Sequence, residues 1–83
     1  MASNFQTKII KEYEKMGYMV INLIRTNKGG IPDLLCVKDG KAIFIESKEG
    51  RDTVKPLQKL RIKELRKQGF EAFALHDKDG IVY

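Results

Sequence analysis

The sequence holds a single cysteine, no tryptophan, one histidine and two prolines. One cysteine cannot form a disulfide within the chain, and Cys36 stands inside the apolar run LLCV, where it is expected to be a small buried hydrophobe. With one cysteine and one histidine, a zinc site built from these ligands is also excluded. These absences favour a reducing, intracellular setting over a disulfide-stabilised secreted fold.

Long apolar runs are missing as well. No stretch approaches the length that a membrane helix needs, and the opening segment MASNFQTKIIKEYEK carries too many charges for a signal peptide. Internal repeats and low-complexity tracts are also missing. We therefore expect a cytoplasmic protein with no membrane association.

The charge balance is basic, with 16 Lys and Arg against 11 Asp and Glu in 83 residues, a formal net charge of +5. This surplus favours nucleic acid or another anionic partner, although a solvated basic surface is an ordinary alternative. The length predicts one domain over residues 1–83. Domains of this size bury a modest core, so partner subunits or ligands often add stability.

Apolar patterning and turn residues predict two helices and five strands. The first helix should run over 4–16, begin at a cap on Ser3 or Asn4 and end at Gly17. Pro56 suits the first turn of the second helix. The remaining predicted elements are a buried strand over 18–24, strands over 31–38 and 41–48, the second helix over 56–68, and strands over 70–76 and 81–83. The order α-β-β-β-α-β-β predicts an α/β fold with a mixed sheet.

Two acids stand in the most apolar part of the chain. The dipeptide DG at 39–40 favours a two-residue type I′ hairpin, which pairs the flanking lysines. In that register Asp33 lies directly opposite Glu46, with Cβ atoms roughly 4.5–5.5 Å apart. Strand alternation then places Lys48 on the same face as Glu46.

Opposed carboxylates repel, so this arrangement requires compensation. A shared proton is one solution, and a bound divalent cation such as Mg²⁺ is another. A lysine beside a metal site can orient or ionise a water, or neutralise charge on a phosphate. Alternatively, both acids lie at wet strand ends and pair with lysines.

Two further polar residues bear on this choice. The predicted inward sector of the second helix is formed by Leu57, Ile62 and Leu65. Gln58 falls inside it and needs a polar partner, either at the acidic face or in the backbone of the preceding loop. Glu12 stands at the edge of the apolar stripe of the first helix, where an exposed side chain is the ordinary expectation and a further acid near the metal is the alternative.

The segments GGIPDLL, AIFIESK and KPLQKLRIKELRKQGF resemble the VRR-NUC family, the virus-type replication-repair nucleases of the PD-(D/E)xK superfamily. The resemblance extends from Glu12 to Phe73. It implies a restriction-endonuclease-like core, with a mixed sheet flanked by helices. Small stand-alone members are typical of bacteriophages and bacteria, and for a phage protein the location would be the host cytoplasm. One departure is Lys55, where the family often has Ser or Thr before Pro56.

The resemblance also implies roles for individual residues. Asp33 and Glu46 look like metal-binding acids, together with the main-chain carbonyl of Ser47. Lys48 looks like the catalytic lysine, and Gln58 like the helix glutamine beside the active site. Glu12 looks like the first-helix acid of many superfamily members.

The activity implied is hydrolysis of DNA phosphodiester bonds with Mg²⁺ or Mn²⁺. Stand-alone members are expected to act as homodimers on branched DNA such as Holliday junctions. Around the site, Gly29 and Gly30 would let the backbone approach DNA, while Arg25 and Lys28 would bind phosphates. Alternatively, this loop is an ordinary turn. A different interpretation is a DNA-binding or regulatory module that has the fold but does not cleave, and a third is a small interaction protein whose acids pair with lysines.

Overall fold

The computed structural model describes residues 4–83, so the candidate cap Ser3 lies outside the described residues. Its elements are α1 (Asn4–Lys15), β1 (Met19–Asn22), β2 (Leu34–Lys38), β3 (Lys41–Lys48), α2 (Pro56–Lys67), β4 (Glu71–His76) and β5 (Gly80–Ile81). Neither helix in this part of the chain is long and apolar enough to cross a membrane.

The five strands form one sheet in the order β1-β2-β3-β4-β5. β3 and β4 are parallel, and the other neighbouring pairs are antiparallel. The parallel pair requires a crossover, and α2 supplies it between the two strands. The predicted α/β fold with a mixed sheet and the order α-β-β-β-α-β-β is confirmed.

The hairpin between β2 and β3 has the predicted register. Asp39 and Gly40 both have positive φ, at 52° and 77°, which is the requirement of a type I′ turn. Lys38 pairs with Lys41, and the ladder continues to the pair Leu34–Ile45.

The ladder stops one pair short of Asp33 and Glu46, because β2 begins at Leu34 and not at position 31 as predicted. Proline has no N–H and a fixed φ, so Pro32 cannot extend the backbone pairing. Asp33 therefore lies at the end of a strand, and its direct opposition to Glu46 stays a prediction.

Helices cover both faces of the sheet. On one face, Ile9 of α1 packs against Leu34, Cys36 and Ile45, which are all buried. On the other face, Ile62 of α2 packs with the two alanines of β4 at positions 72 and 74, and Phe44 lies against this cluster. Residues of β3 thus alternate between two cores, as expected for a central strand between helical layers.

The inward sector of α2 is narrower than predicted. Ile62 is buried and Leu65 is half-buried, but Leu57 is 45% exposed. Leu57 lies against Gly29 and Gly30 instead of the sheet. The helical period alone could not show that a loop, and not the core, contacts the first turn of α2.

The first strand is shorter and less buried than predicted. β1 covers only Met19–Asn22, and both Met19 and Ile21 are exposed. Because β1 pairs only with β2, it is an edge strand, and α1 covers only the face that carries Val20. The run of apolar residues therefore does not mark a strand buried on both faces.

Candidate active site

The carboxyl end of β3 carries a buried ion pair. Glu46 and Lys48 are only 3% and 4% exposed, and the lysine Nζ lies 3.4 Å from Glu46 Oε2. Positions two apart on a strand share a face, so alternation brings these side chains together. Buried charges are rare unless they are paired, which marks this end of the strand as a specialised location.

The Glu46 carboxylate is only partly satisfied. Its Oε1 atom is buried and has no hydrogen-bond partner among the described residues. Burial, followed by the negative charge of Asp33, raises the pKa of Glu46 to about 7, although Lys48 acts in the opposite direction. The charge of Asp33 thus opposes ionisation of Glu46, which is the direction that the sequence predicts for two neighbouring carboxylates.

Asp33 is held at the end of β2 by Ser47. Its Oδ2 accepts hydrogen bonds from the Ser47 backbone N–H at 3.0 Å and from the Ser47 hydroxyl at 2.8 Å. The carboxylate thus takes the N–H that a longer β2 would have paired. Both contacts with described residues are made by Oδ2, so Oδ1 remains available to a ligand.

Gln58 reaches the site from the first turn of α2. It contacts both the acidic face and the backbone of the preceding loop, the two partners that the sequence offered as alternatives. Its Nε2 donates to Glu46 Oε2 at 3.3 Å, and its Oε1 accepts from the Lys55 backbone N–H at 2.9 Å. The second bond stabilises the start of α2, where Lys55 provides no side-chain acceptor. The amide is thereby fixed with its NH₂ group toward Glu46.

The first turn of α1 supplies a polar support that the sequence analysis missed. Gln6 Nε2 donates to Ser47 Oγ, and Asn22 Nδ2 donates to Gln6 Oε1, both at 3.3 Å. A polar Asn in the otherwise apolar run YMVINLI was the one available signal. These bonds connect α1 and β1 to Asp33 through Ser47.

The donor set suits a hard divalent cation. The described residues contain no group of three or more His, Cys, Asp or Glu side chains placed around a common point. A cation would therefore depend on Asp33, Glu46, a main-chain carbonyl and waters or phosphate, which is how Mg²⁺ is commonly bound. An unpartnered buried carboxylate oxygen beside a second carboxylate matches this requirement.

Comparison with known proteins identifies the chain. The family model of the VRR-NUC domain matches residues 3–79. The chain belongs to the VRR-NUC family. A solved structure described as a VRR_NUC domain is 28% identical, with a TM-score of 0.72, and the match covers 83% of this chain and 76% of that one. The comparison with curated proteins gave no match.

The VRR-NUC match gives the chain a nuclease-type fold. The four residues that resemble the family motif, Asp33, Glu46, Lys48 and Gln58, all lie at the same end of the sheet. Hydrogen bonds and charge connect them, as Gln58 and Lys48 both contact Glu46 and Asp33 raises its pKa.

Glu12 does not join this VRR-NUC cluster. It is exposed, and it lines a shallow depression on α1 with Asn4, Thr7, Lys8, Lys11 and Lys15. The α1 residue that contacts Ser47 is Gln6, about 9 Å nearer the start of the helix at 1.5 Å per residue. A metal-binding role for Glu12 has no support from these contacts.

The glycine loop of the VRR-NUC motif lies beside the site. Arg25, Lys28 and Gly29 are exposed, and the loop begins where the Leu23 N–H donates to the Asp33 carbonyl at 2.7 Å. Arg61 of α2 donates to the Gly29 carbonyl at 2.8 Å. The loop is thus attached both to Asp33 and to α2.

His76, which the sequence analysis gave no role, supports the loop after β3. Its Nε2 lies 2.8 Å from the Gly50 carbonyl, and its Nδ1 lies 3.1 Å from the Lys78 N–H and 3.3 Å from the Asp79 N–H. These partners match a neutral ring with the proton on Nε2. The turn between β4 and β5 is therefore stabilised by the histidine side chain.

Proposed function

We propose that this protein is a divalent-metal-dependent DNA endonuclease. The observation that carries the proposal is the buried Oε1 of Glu46 beside Asp33, an atom that has no hydrogen-bond partner within residues 4–83. A folded protein seldom retains such an atom without a functional reason. Mg²⁺ or Mn²⁺ held by Asp33, Glu46 and the Ser47 carbonyl would neutralise the repulsion. The Ser47 N–H points to Asp33, and in a strand the carbonyl of the same residue points to the same side.

The bound cation would act as a Lewis acid toward the scissile phosphate. Lys48 would orient a water or assist its ionisation, a role supported by the position of its ammonium group beside Glu46 within the buried site. Gln58 would fix the orientation of the Glu46 carboxylate through its Nε2 bond. Ser47 would fix Asp33 in the same way through two hydrogen bonds.

DNA is the substrate that the surface charge favours. The formal net charge is +5, and the exposed Arg25 and Lys28 stand on the loop that connects to Asp33. Both can contact phosphates close to the carboxylates. Gly29 and Gly30 were expected to admit DNA, but Gly30 has a second role, because a side chain there would collide with Leu57.

A second candidate is a module of the same fold that binds DNA without cutting it. The observation in its favour is that the described residues offer two carboxylates and no third acidic, histidine or cysteine ligand. This candidate would not require a buried unpaired carboxylate oxygen, which is why we prefer the enzyme.

Cleavage of DNA by the wild type should require Mg²⁺ or Mn²⁺, and Asp33→Asn should reduce the rate by about 10³-fold, since a metal supplies several kcal/mol of transition-state stabilisation. The amide can still accept the Ser47 bonds, so the fold should persist. The measurement is a cleavage panel of linear duplex, flap and four-way junction DNA with each metal.

Binding without cutting of every DNA in this panel, with either metal, would favour the module. Calorimetric titration with Mn²⁺ tests the third interpretation, in which the protein is a small interaction protein whose acids pair with lysines. Absence of Mn²⁺ binding to the wild type would indicate that the acids have only structural roles.

We propose further that residues 1–83 act as a single domain that forms a homodimer in the cytoplasm and prefers branched DNA. Symmetric cutting of a four-way junction needs two sites, and one chain contains one such cluster among its described residues. Light scattering should give twice the chain mass of 9.5 kDa, with or without junction DNA. A monomer under both conditions would exclude the dimer.

A further inference from the structure

We propose that Asp52 is a positioning residue that holds the Lys48 ammonium group in the site, an inference that rests on the nuclease function proposed above. Asp52 lies in the loop over 49–55 and belongs to none of the family motifs. Its Oδ2 lies 3.3 Å from Lys48 Nζ, and its Oδ1 lies 3.0 Å from Lys55 Nζ. One carboxylate thus bridges a buried lysine and an exposed one.

The loop that presents Asp52 is anchored at three points. The Asp52 N–H donates to the Glu49 carbonyl at 3.0 Å and closes a turn. The buried His76 of β4 contacts the Gly50 carbonyl at 2.8 Å. Beyond Asp52, the Lys55 N–H donates to Gln58 Oε1 at 2.9 Å. These anchors connect the loop to β4 and to α2, so the position of Asp52 is set by the folded domain.

Charge explains why Lys48 needs a second carboxylate. A buried ammonium group is costly unless a negative charge accompanies it. Glu46 provides that charge at 3.4 Å, but its oxygens would also face a bound cation. Asp52 also contacts Lys48, and its carboxylate is not one of the proposed metal ligands. It keeps the ammonium group in place when the charge of Glu46 is shared with a cation.

The hydrogen bond from Lys55, followed by the contact with Lys48, lowers the pKa of Asp52, which favours the charged form of this carboxylate. Lys55 itself is exposed and lies on the solvent side of Asp52. We therefore assign Lys55 the task of orienting Asp52, and Asp52 that of orienting Lys48.

The test uses Asp52→Asn, which keeps the shape of the side chain and removes its charge. We expect kcat at saturating DNA to fall about 10-fold, part of the 10²–10⁴-fold effect of a positioned proton-transfer group. KM should change little, because Asp52 contacts no proposed DNA ligand. Asp52→Glu should recover most of kcat, since the loop side chain is 50% exposed and can adapt.

Glu14→Gln is the matched control. It also removes one carboxylate from the surface, at an exposed position on α1. The Glu14 side chain takes part in none of the contacts that the described residues make at the site, so kcat should not change. Equal losses in Asp52→Asn and Glu14→Gln would mean that only net charge matters, and would overturn the proposal.

A second readout does not depend on cleavage. In protein labelled with ¹³C-lysine, the two Cε protons of Lys48, assigned by their loss in Lys48→Met, should have separate shifts when the ammonium group is held. They should merge in Asp52→Asn and separate again in Asp52→Glu. If the wild type cuts no DNA, the nuclease proposal fails while this signal still decides the role of Asp52. Unchanged Lys48 signals in Asp52→Asn would overturn the positioning role.

Discussion

Glu46→Gln is expected to abolish metal-dependent cleavage. It should also change the pH dependence of stability of the metal-free protein. Relative to the wild type, the variant should be more stable at neutral pH and above than it is in acid. Cleavage should fall by about 10³-fold or more, because a metal ligand that supports several kcal/mol of stabilisation is lost. The stability change follows from the raised pKa of Glu46. Burial of the side chain, which is 3% exposed, and then the charge of Asp33 raise this pKa from an ordinary 4.5 to about 7.

The sign of the pH dependence follows from proton binding. Below pH 4.5, Glu46 is protonated in the folded and the unfolded chain, so it contributes no difference. Between pH 4.5 and 7, the unfolded chain releases the proton while the folded protein retains it, and stability falls as pH rises. The total loss is roughly 3 kcal/mol at 1.36 kcal/mol per pKa unit, and Glu46→Gln should not show it.

Urea unfolding of both proteins across this pH range measures the effect. Glu14→Gln, at an exposed position on α1, is the control and should follow the wild-type curve. Adding Mn²⁺ at 100 times its dissociation constant should restore about 2.7 kcal/mol to the wild type and nothing to Glu46→Gln. If the free energy of unfolding depends on pH in the same way for the wild type and Glu46→Gln, the raised pKa of the buried Glu46 carboxylate is contradicted.

Gly30→Ala is expected to destabilise the protein more than Gly40→Ala, although both glycines have positive φ, 80° and 77°. The backbone strain common to both is about 1–2 kcal/mol for an L-residue. At Gly30 a Cβ would also stand 2.8 Å from Leu57 Cγ and 2.9 Å from the Leu57 carbonyl oxygen, whereas nothing lies within 4 Å at Gly40. This overpacking should add about 1–3 kcal/mol.

The same substitution should reduce cleavage, because the loop leads directly to Asp33. Urea unfolding compares Gly30→Ala with Gly40→Ala, and DNA cleavage is measured on both. Adding Leu57→Ala to Gly30→Ala should recover only part of the lost stability, because the contact with the backbone carbonyl remains. Equal destabilisation by the two glycine substitutions would show that Leu57 does not constrain the loop.

Local chemistry predicted much of this protein. The DG dipeptide implied a type I′ turn, and the register of β2 and β3 followed from it. Alternation then placed Glu46 and Lys48 together, and the helical period turned Gln58 toward them. Each of these inferences depends on residues close in sequence, within one hairpin or one helix, where the geometry is nearly invariant.

Other features could not be predicted from local patterns. The exposure of Leu57, the edge position of β1 and the support of Ser47 by Gln6 all depend on which elements pack together. Asp52 belongs to a charged loop without a motif, so nothing nearby distinguished it from its neighbours.

The sequence by itself determined the order of elements, the hairpin register and the residues that resemble a nuclease motif. Tertiary structure alone decided that Ser47 rather than a strand partner holds Asp33, that Gln6 supports Ser47, and that Leu57 lies against the glycine loop. The physical reason is distance along the chain. Turns and periods act over a few residues, whereas the burial of Glu46 and the contacts of Gln6 and Leu57 arise only when two helices close on both faces of the sheet.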